Sequence, residues 1–153
     1  MKNIIRTLAV VGVIIGVGIT AIFAQKAKPL APYTITDIKV VPFDEVLGQW
    51  REPVTPDQWF GNDLSVSLLA TIELKGPAGE FAENRRVQIN VTEGKKVKLT
   101  RLAYPGVMSE TGKFYVPVFI YGPLCDIVKI TATVTGQTKK SSRSRNVNFH
   151  CGE

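Results

Sequence analysis

The sequence predicts an all-β domain, a β-sandwich of about seven strands, carried behind an N-terminal export segment. Three observations lead there. From Tyr33 onward, apolar residues recur at every second position, the period that sends alternate side chains to opposite faces of a strand. That region carries no apolar stripe at the three-to-four spacing of an amphipathic helix. The first 24 residues stand apart, with Lys2 and Arg6 followed by an uncharged, mostly apolar run over residues 7–24.

This leading block has the layout of a secretory signal: a basic start, an apolar core and a small-residue exit at Ala24. Its run is longer than the usual signal core of about 7–15 residues and reaches the shortest length that spans a bilayer. Residues 1–24 are therefore expected to be a cleaved signal peptide or a retained signal anchor, a single transmembrane helix over residues 7–24. In both cases the remainder is expected outside the cytoplasm, whether periplasmic, extracellular or anchored, because Lys2 and Arg6 favour the inner side for the start of an anchor. Residues 25–32, with Lys26, Lys28, Pro29 and Pro32, read as a polar linker. The sandwich domain is expected over residues 33–153.

Residues 33–41 form the first predicted strand, with Ile35, Ile38 and Val40 on one face and a phase slip near Asp37. Leu64, Val66, Leu68, Ala70, Ile72 and Leu74 define the second. Leu69 is out of phase there and predicts a bulge. Val87, Ile89 and Val91 mark the third strand, and the turn at Glu93, Gly94 and Lys95 leads into a fourth with Val97 and Leu99. Residues 114–121 are apolar on both faces, which predicts a strand covered on both sides. Pro117 within it cannot donate a ladder hydrogen bond, so an edge position or a bulge is expected. Val128, Ile130, Ala132 and Val134 define the sixth strand, and residues 142–151, with Val147 and Phe149, the seventh.

Half-buried strands without a helix must bury their apolar faces against one another, which gives two packed sheets. Over residues 33–151 the strand count and spacing resemble an immunoglobulin-like or fibronectin type III-like sandwich. The resemblance implies architecture alone. The second strand holds no Cys and both Trp precede it, unlike true immunoglobulin domains, and a fold does not carry a function with it.

Cys125 and Cys151 flank the last hairpin, and a hairpin folded symmetrically about Thr138 sets them opposite each other. In an exported chain this predicts a disulfide. The strict register has a flaw, because it places Val128 and Ile130 against Asn148 and Asn146 whereas a core needs Val147 and Phe149 on that face. A one-residue bulge near Pro123 and Leu124, or near Asn146, would reconcile the two. The alternative use of the same residues is a metal site of Cys125, Asp126, His150 and Cys151. A blue-copper set, with two His, is out of reach for a chain with one His.

The remaining composition narrows the function classes. With 44% hydrophobic and 21% charged residues the chain is not disordered, and its 13 Gly follow no three-residue period. A single His, no Gly-x-Ser-x-Gly and no phosphate-cradling Gly loop argue against catalysis. No cofactor, no metal and no nucleic-acid partner is expected.

Two surfaces are candidates for binding. One is the long loop with Trp50, Trp59 and Phe60, since aromatic residues dominate interface hot spots; the competing role is to cap the open end of the sandwich. The other is basic: Lys139, Lys140, Arg143 and Arg145. Such a strip attracts anionic headgroups, acidic glycans or an acidic partner, or merely solubilises a turn and protects an edge strand. Removing Lys2 and Arg6 from the formal charge of +6 leaves +4 on the exported part. The expectation is an exported or membrane-anchored, non-catalytic domain that contacts a protein or polysaccharide of the cell envelope. A carbohydrate-binding module on the 50–60 loop is the alternative.

Overall fold

A computed structural model of the chain describes residues 31–61 and 65–151. The predicted export segment (1–24), nearly all of the linker and Leu64 lie outside the described residues. Nine strands follow in order: β1 (Thr34–Asp44), β2 (Gln49–Trp50), β3 (Trp59–Gly61), β4 (Val66–Lys75), β5 (Arg86–Glu93), β6 (Lys96–Ala103), β7 (Lys113–Ile120), β8 (Val128–Thr135) and β9 (Ser141–His150). Among the described residues there is no helix, and hence none long and apolar enough to cross a membrane.

The strands form a four-stranded sheet, β2-β1-β4-β7, and a five-stranded sheet, β3-β9-β8-β5-β6. Their inner faces share one core, to which Ile38, Val40, Leu68 and Ile72 come from the first sheet and Ile89, Ile130, Val147 and Phe149 from the second. Each such side chain contributes about 1.5–3 kcal/mol by leaving water. Helix-free alternation thus ends, as expected, in two sheets packed as a β-sandwich.

Seven of the strands are those read from the alternation. The two additional ones, β2 and β3, come from the long loop after the first strand, which is not a free loop. β2 pairs back onto β1, and β3 runs parallel to the end of β9. Between them the chain passes from one sheet to the other, and Val54 ties the passage down. Its N–H donates to Val40 O at 2.9 Å, and its carbonyl accepts from the Arg145 guanidinium at 2.7 Å.

The phase slip near Asp37 is a bulge: the β1–β4 register steps from Ile35 opposite Leu74 to Asp37 opposite Glu73. The extra residue returns Ile38 and Val40 to the core. No bulge occurs at Leu69, which keeps unbroken register with Val41 on one side and Phe119 on the other. It is apolar because the outer face of this sheet is apolar there.

Pro117 sits on β7, an edge of the four-stranded sheet, as its missing N–H requires. Its carbonyl accepts from the Arg101 guanidinium of β6 at 2.9 Å, which links the two sheets along their open side. The expectation that this strand is covered on both sides fails. Val116, Val118 and Ile120 are buried, but Tyr115 and Tyr121 of the other row are exposed.

The β8–β9 ladder resolves the register flaw in favour of the core. Val128 stands opposite Val147, and the same register runs without a break to Val134 opposite Ser141, so no bulge exists at Asn146. Extended further, this ladder would set Cys151 against Leu124. The one-residue offset falls between the Val128–Val147 pair and the cystine, with the extra residue on the β9 side. Cys125 and Cys151 are disulfide-bonded with their Cα atoms 5.0 Å apart.

Candidate interaction surface

The surface begins at the β1–β2 hairpin. Asp44 closes it by accepting the N–H of Val46 at 3.0 Å and of Leu47 at 2.9 Å, while its second oxygen accepts from the Arg51 guanidinium at 2.6 Å. The Leu47 N–H, and then the Arg51 guanidinium, hold the Asp44 carboxyl below the usual carboxylate range. Gly48 takes a φ of 64°, the left-handed conformation that the turn requires. Arg51 N–H donates to Pro42 O at 2.9 Å, and Glu45 N–H to Ser65 O at 2.8 Å. These bonds fix a tip whose two aliphatic side chains point to solvent, Val46 at 77% and Leu47 at 65% exposure.

Trp50 lies next to this tip and pairs with Phe43 across the ladder. Its ring centroid is 4.9 Å from that of Phe43 and meets Phe119 edge-on at 6.4 Å; Phe119 in turn meets Tyr121 at 4.7 Å. Offset and edge-on contacts of this kind are the favoured aromatic geometries. Val41 and Leu69 continue the apolar row beneath Phe119 on the same outer face. Trp50 remains 52% and Tyr121 72% exposed.

The layer buries a polar group as well. Ser67 is on the outer face, opposite Phe43, yet fully buried. Its hydroxyl donates to the Glu45 carboxylate and accepts from Gly122 N–H at 3.0 Å, so this buried hydroxyl is paired both as donor and as acceptor. Farther along the sheet the face turns polar: Lys39 and Thr71 come first, then Glu73 paired with Lys113 at 3.0 Å. An aromatic half and a charged half thus share one sheet surface.

The structure disperses the candidate loop. Trp50 belongs to the outer face of the four-stranded sheet. Trp59, 61% exposed, lies opposite Asn148 on the outer face of the five-stranded sheet. Phe60 turns inward, is buried and stacks on Phe149 at 5.1 Å. The three rings do not meet.

The basic residues are also divided, between the β8–β9 turn and β9 itself. Lys139 and Lys140 sit in the β8–β9 turn. Arg143 stands opposite Ala132 and Arg145 opposite Ile130, on the inward row of β9 where the sandwich margin is open. Arg145 is engaged with Val54, whereas Arg143 stays exposed.

Phe43, Phe119 and Tyr121 were not candidates from sequence. Their signal was present in Leu69, out of phase, and in the two-sided apolarity of residues 114–121. Both mark an outer face that carries its own apolar layer. As for the metal alternative, the disulfide occupies both sulfurs, so Cys125 and Cys151 supply no thiolate to Asp126 and His150. Among the described residues no group of three or more His, Cys, Asp or Glu is placed to hold a metal ion.

No protein-family model matches the chain, and no curated protein matches it. The disulfide is compatible with an oxidising compartment.

Proposed function

We propose that this chain is an exported, non-catalytic interaction domain that docks a protein of the cell envelope through the outer face of its four-stranded sheet. The observation that carries the reading is the rigid β1–β2 tip, where Val46 and Leu47 are exposed beside Trp50. A turn backbone already fixed in place loses little entropy on binding, and aromatic anchors next to aliphatic ones suit a protein partner's apolar patch. Trp50 packs against Phe43 and Phe119, so part of its ring is already engaged within the sheet face.

The sandwich is of immunoglobulin-like or fibronectin type III-like type in this reading. Among the seven long strands, the first, second and fifth share one sheet, and the third, fourth, sixth and seventh the other. That connectivity differs from the constant immunoglobulin arrangement only in the fourth strand, which here pairs with the third. Residues 1–24 act as signal peptide or anchor, and the disulfide forms after export.

A photo-crosslinking residue at Leu47 of the full chain, in native membranes, tests the docking face. One discrete protein adduct is expected, absent when Trp50→Ala or Tyr121→Ser is added, and absent when the crosslinker is moved to Asn148 on the opposite face. The same adduct from both positions would refute the assignment. Polysaccharide binding lost with Trp50→Ala, and no protein adduct, would replace it with the carbohydrate-binding alternative.

A further inference from the structure

At the end of the sandwich where the chain enters β1, a cavity of about 670 Å³ is lined by Asn84, Arg85, Thr138 and Lys139, with Pro32 at its rim. Arg85 is unusual. It is only 8% exposed, and among the described residues it has no carboxylate partner. One guanidinium nitrogen donates to Gly136 O, while its buried Nε–H has no acceptor among the described residues. Glu80 and Glu83, the acids of the same loop, are exposed. A guanidinium withdrawn from water without an anion is strongly unfavourable, and a native site that keeps one generally supplies a partner.

The walls are built rather than incidental. Gly136 has a φ of +77°, and a Cβ there would collide with Asn84 O, so the two backbones are in direct contact. Arg85 N–H donates to Ala82 O at 3.0 Å. The Gln137 carboxamide is spent on the backbone of Tyr33 and on Lys139 O. Among the described residues the Arg85 Nη2, the Lys139 ammonium, the Asn84 amide and the Thr138 hydroxyl are left over, whereas the Arg85 Nε–H is sealed from solvent.

We infer that this cavity is an anion site for a phosphate group, with Arg85 as the buried charge and Lys139 as the solvent-side clamp. Donors of four kinds around one cavity suit a tetrahedral oxyanion better than a planar carboxylate, and charge-assisted bonds to Arg and Lys supply the affinity. The phosphate is either a free ion or a phosphodiester headgroup. If residues 7–24 are a retained anchor, the eight residues of the 25–32 linker reach at most about 29 Å, which keeps this end of the domain near the membrane surface. The site lies at a different place from the proposed docking face and stands or falls separately.

The test uses the full chain in neutral detergent and follows its melting temperature against inorganic phosphate and, separately, against glycerophosphoglycerol, each compared with chloride at equal ionic strength. A saturable rise with inorganic phosphate is expected for a free-ion site, and with glycerophosphoglycerol for a headgroup site. Lys139→Gln, an exposed change, should weaken whichever response occurs by roughly tenfold, as the loss of one charged hydrogen bond predicts. Arg85→Gln should abolish it. No rise with either probe, or a rise that Lys139→Gln leaves unchanged, overturns the site.

Discussion

The carboxamide of Gln137 pairs with both backbone groups of Tyr33, accepting its N–H at 2.9 Å and donating to its carbonyl at 2.8 Å. A side chain here does the work of a neighbouring strand. It secures the start of β1 to the β8–β9 turn, and Ser141 Oγ extends the link by accepting Ile35 N–H at 2.9 Å. Gln137→Ala removes both bonds to Tyr33, and with them the exposed bond to Lys139 O, which water replaces. Each net bond contributes about 0.5–1.5 kcal/mol, so a loss of roughly 1–3 kcal/mol is expected in urea unfolding. Gln137→Glu keeps the acceptor and loses the donor, and should fall between the two. Equal stability of all three proteins would show that the pairing contributes nothing.

The disulfide should matter more than any one of these bonds. Its half-cystines are 26 residues apart, and closing a loop of that size removes about 3.5 kcal/mol of unfolded-state entropy in the chain model. The bridge is also anchored locally. Cys125 N–H donates to Glu93 at 2.6 Å, and Glu93 pairs with Lys98 at 3.1 Å. Burial pushes the Glu93 carboxyl up, but the Cys125 N–H and the Lys98 ammonium outweigh it and hold it below the usual range. Urea unfolding with and without reductant should differ by about 3–4 kcal/mol. The same midpoint in both would mean that the unfolded chain is already constrained.

Acid should weaken the domain for an identifiable reason. Asp44, Glu73 and Glu93 are all held below their ordinary range: Asp44 by the Leu47 N–H and Arg51, and Glu73 by Lys113 and Thr36. A carboxyl with a lower pKa folded than unfolded stabilises the fold above its unfolded value of about 4. That contribution is lost as pH falls through the folded value. Stability should therefore be level from neutral pH down to about 5 and decline below about 4. Asp44→Asn keeps an acceptor for the Val46 and Leu47 amides but ends the ion pair with Arg51. Its acid limb should be shallower than that of the wild type when melting is followed against pH. An unchanged limb would remove Asp44 from the account.

Alternation made most of the fold legible, because a period of two admits few other structures. It placed the seven long strands, the slip at Asp37 and the edge position of Pro117. Where two demands competed, the sequence alone left the outcome open. The cystine favoured one register of β8–β9 and the core another, and burying Val147 and Phe149 prevailed because a one-residue slip would have turned both to solvent. The aromatic surface was only half visible. Trp50 was evident from its type, but its partners Phe119 and Tyr121 are remote in sequence and belong to the surface only through β4. The splitting of Trp50, Trp59 and Phe60 was invisible, since nothing local says that a loop will donate one short strand to each sheet.

That splitting gives the loop's three rings different energetic roles. Phe60 is buried and stacked on Phe149, so Phe60→Ala should cost about 3–5 kcal/mol through lost burial and a cavity. Trp59 is mostly exposed on an edge strand; Trp59→Ala should stay within about 0.5 kcal/mol of wild type. Trp50 is intermediate. Its removal deletes its contacts with Phe43 and Phe119, which are worth about 0.5–1.5 kcal/mol each. A loss of about 1–3 kcal/mol is expected, with the fold retained. Chemical denaturation of the three variants checks the order Phe60, Trp50, Trp59. If Trp59→Ala proved as damaging as Phe60→Ala, the outward placement of Trp59 and the division of the loop between two sheets would both be wrong.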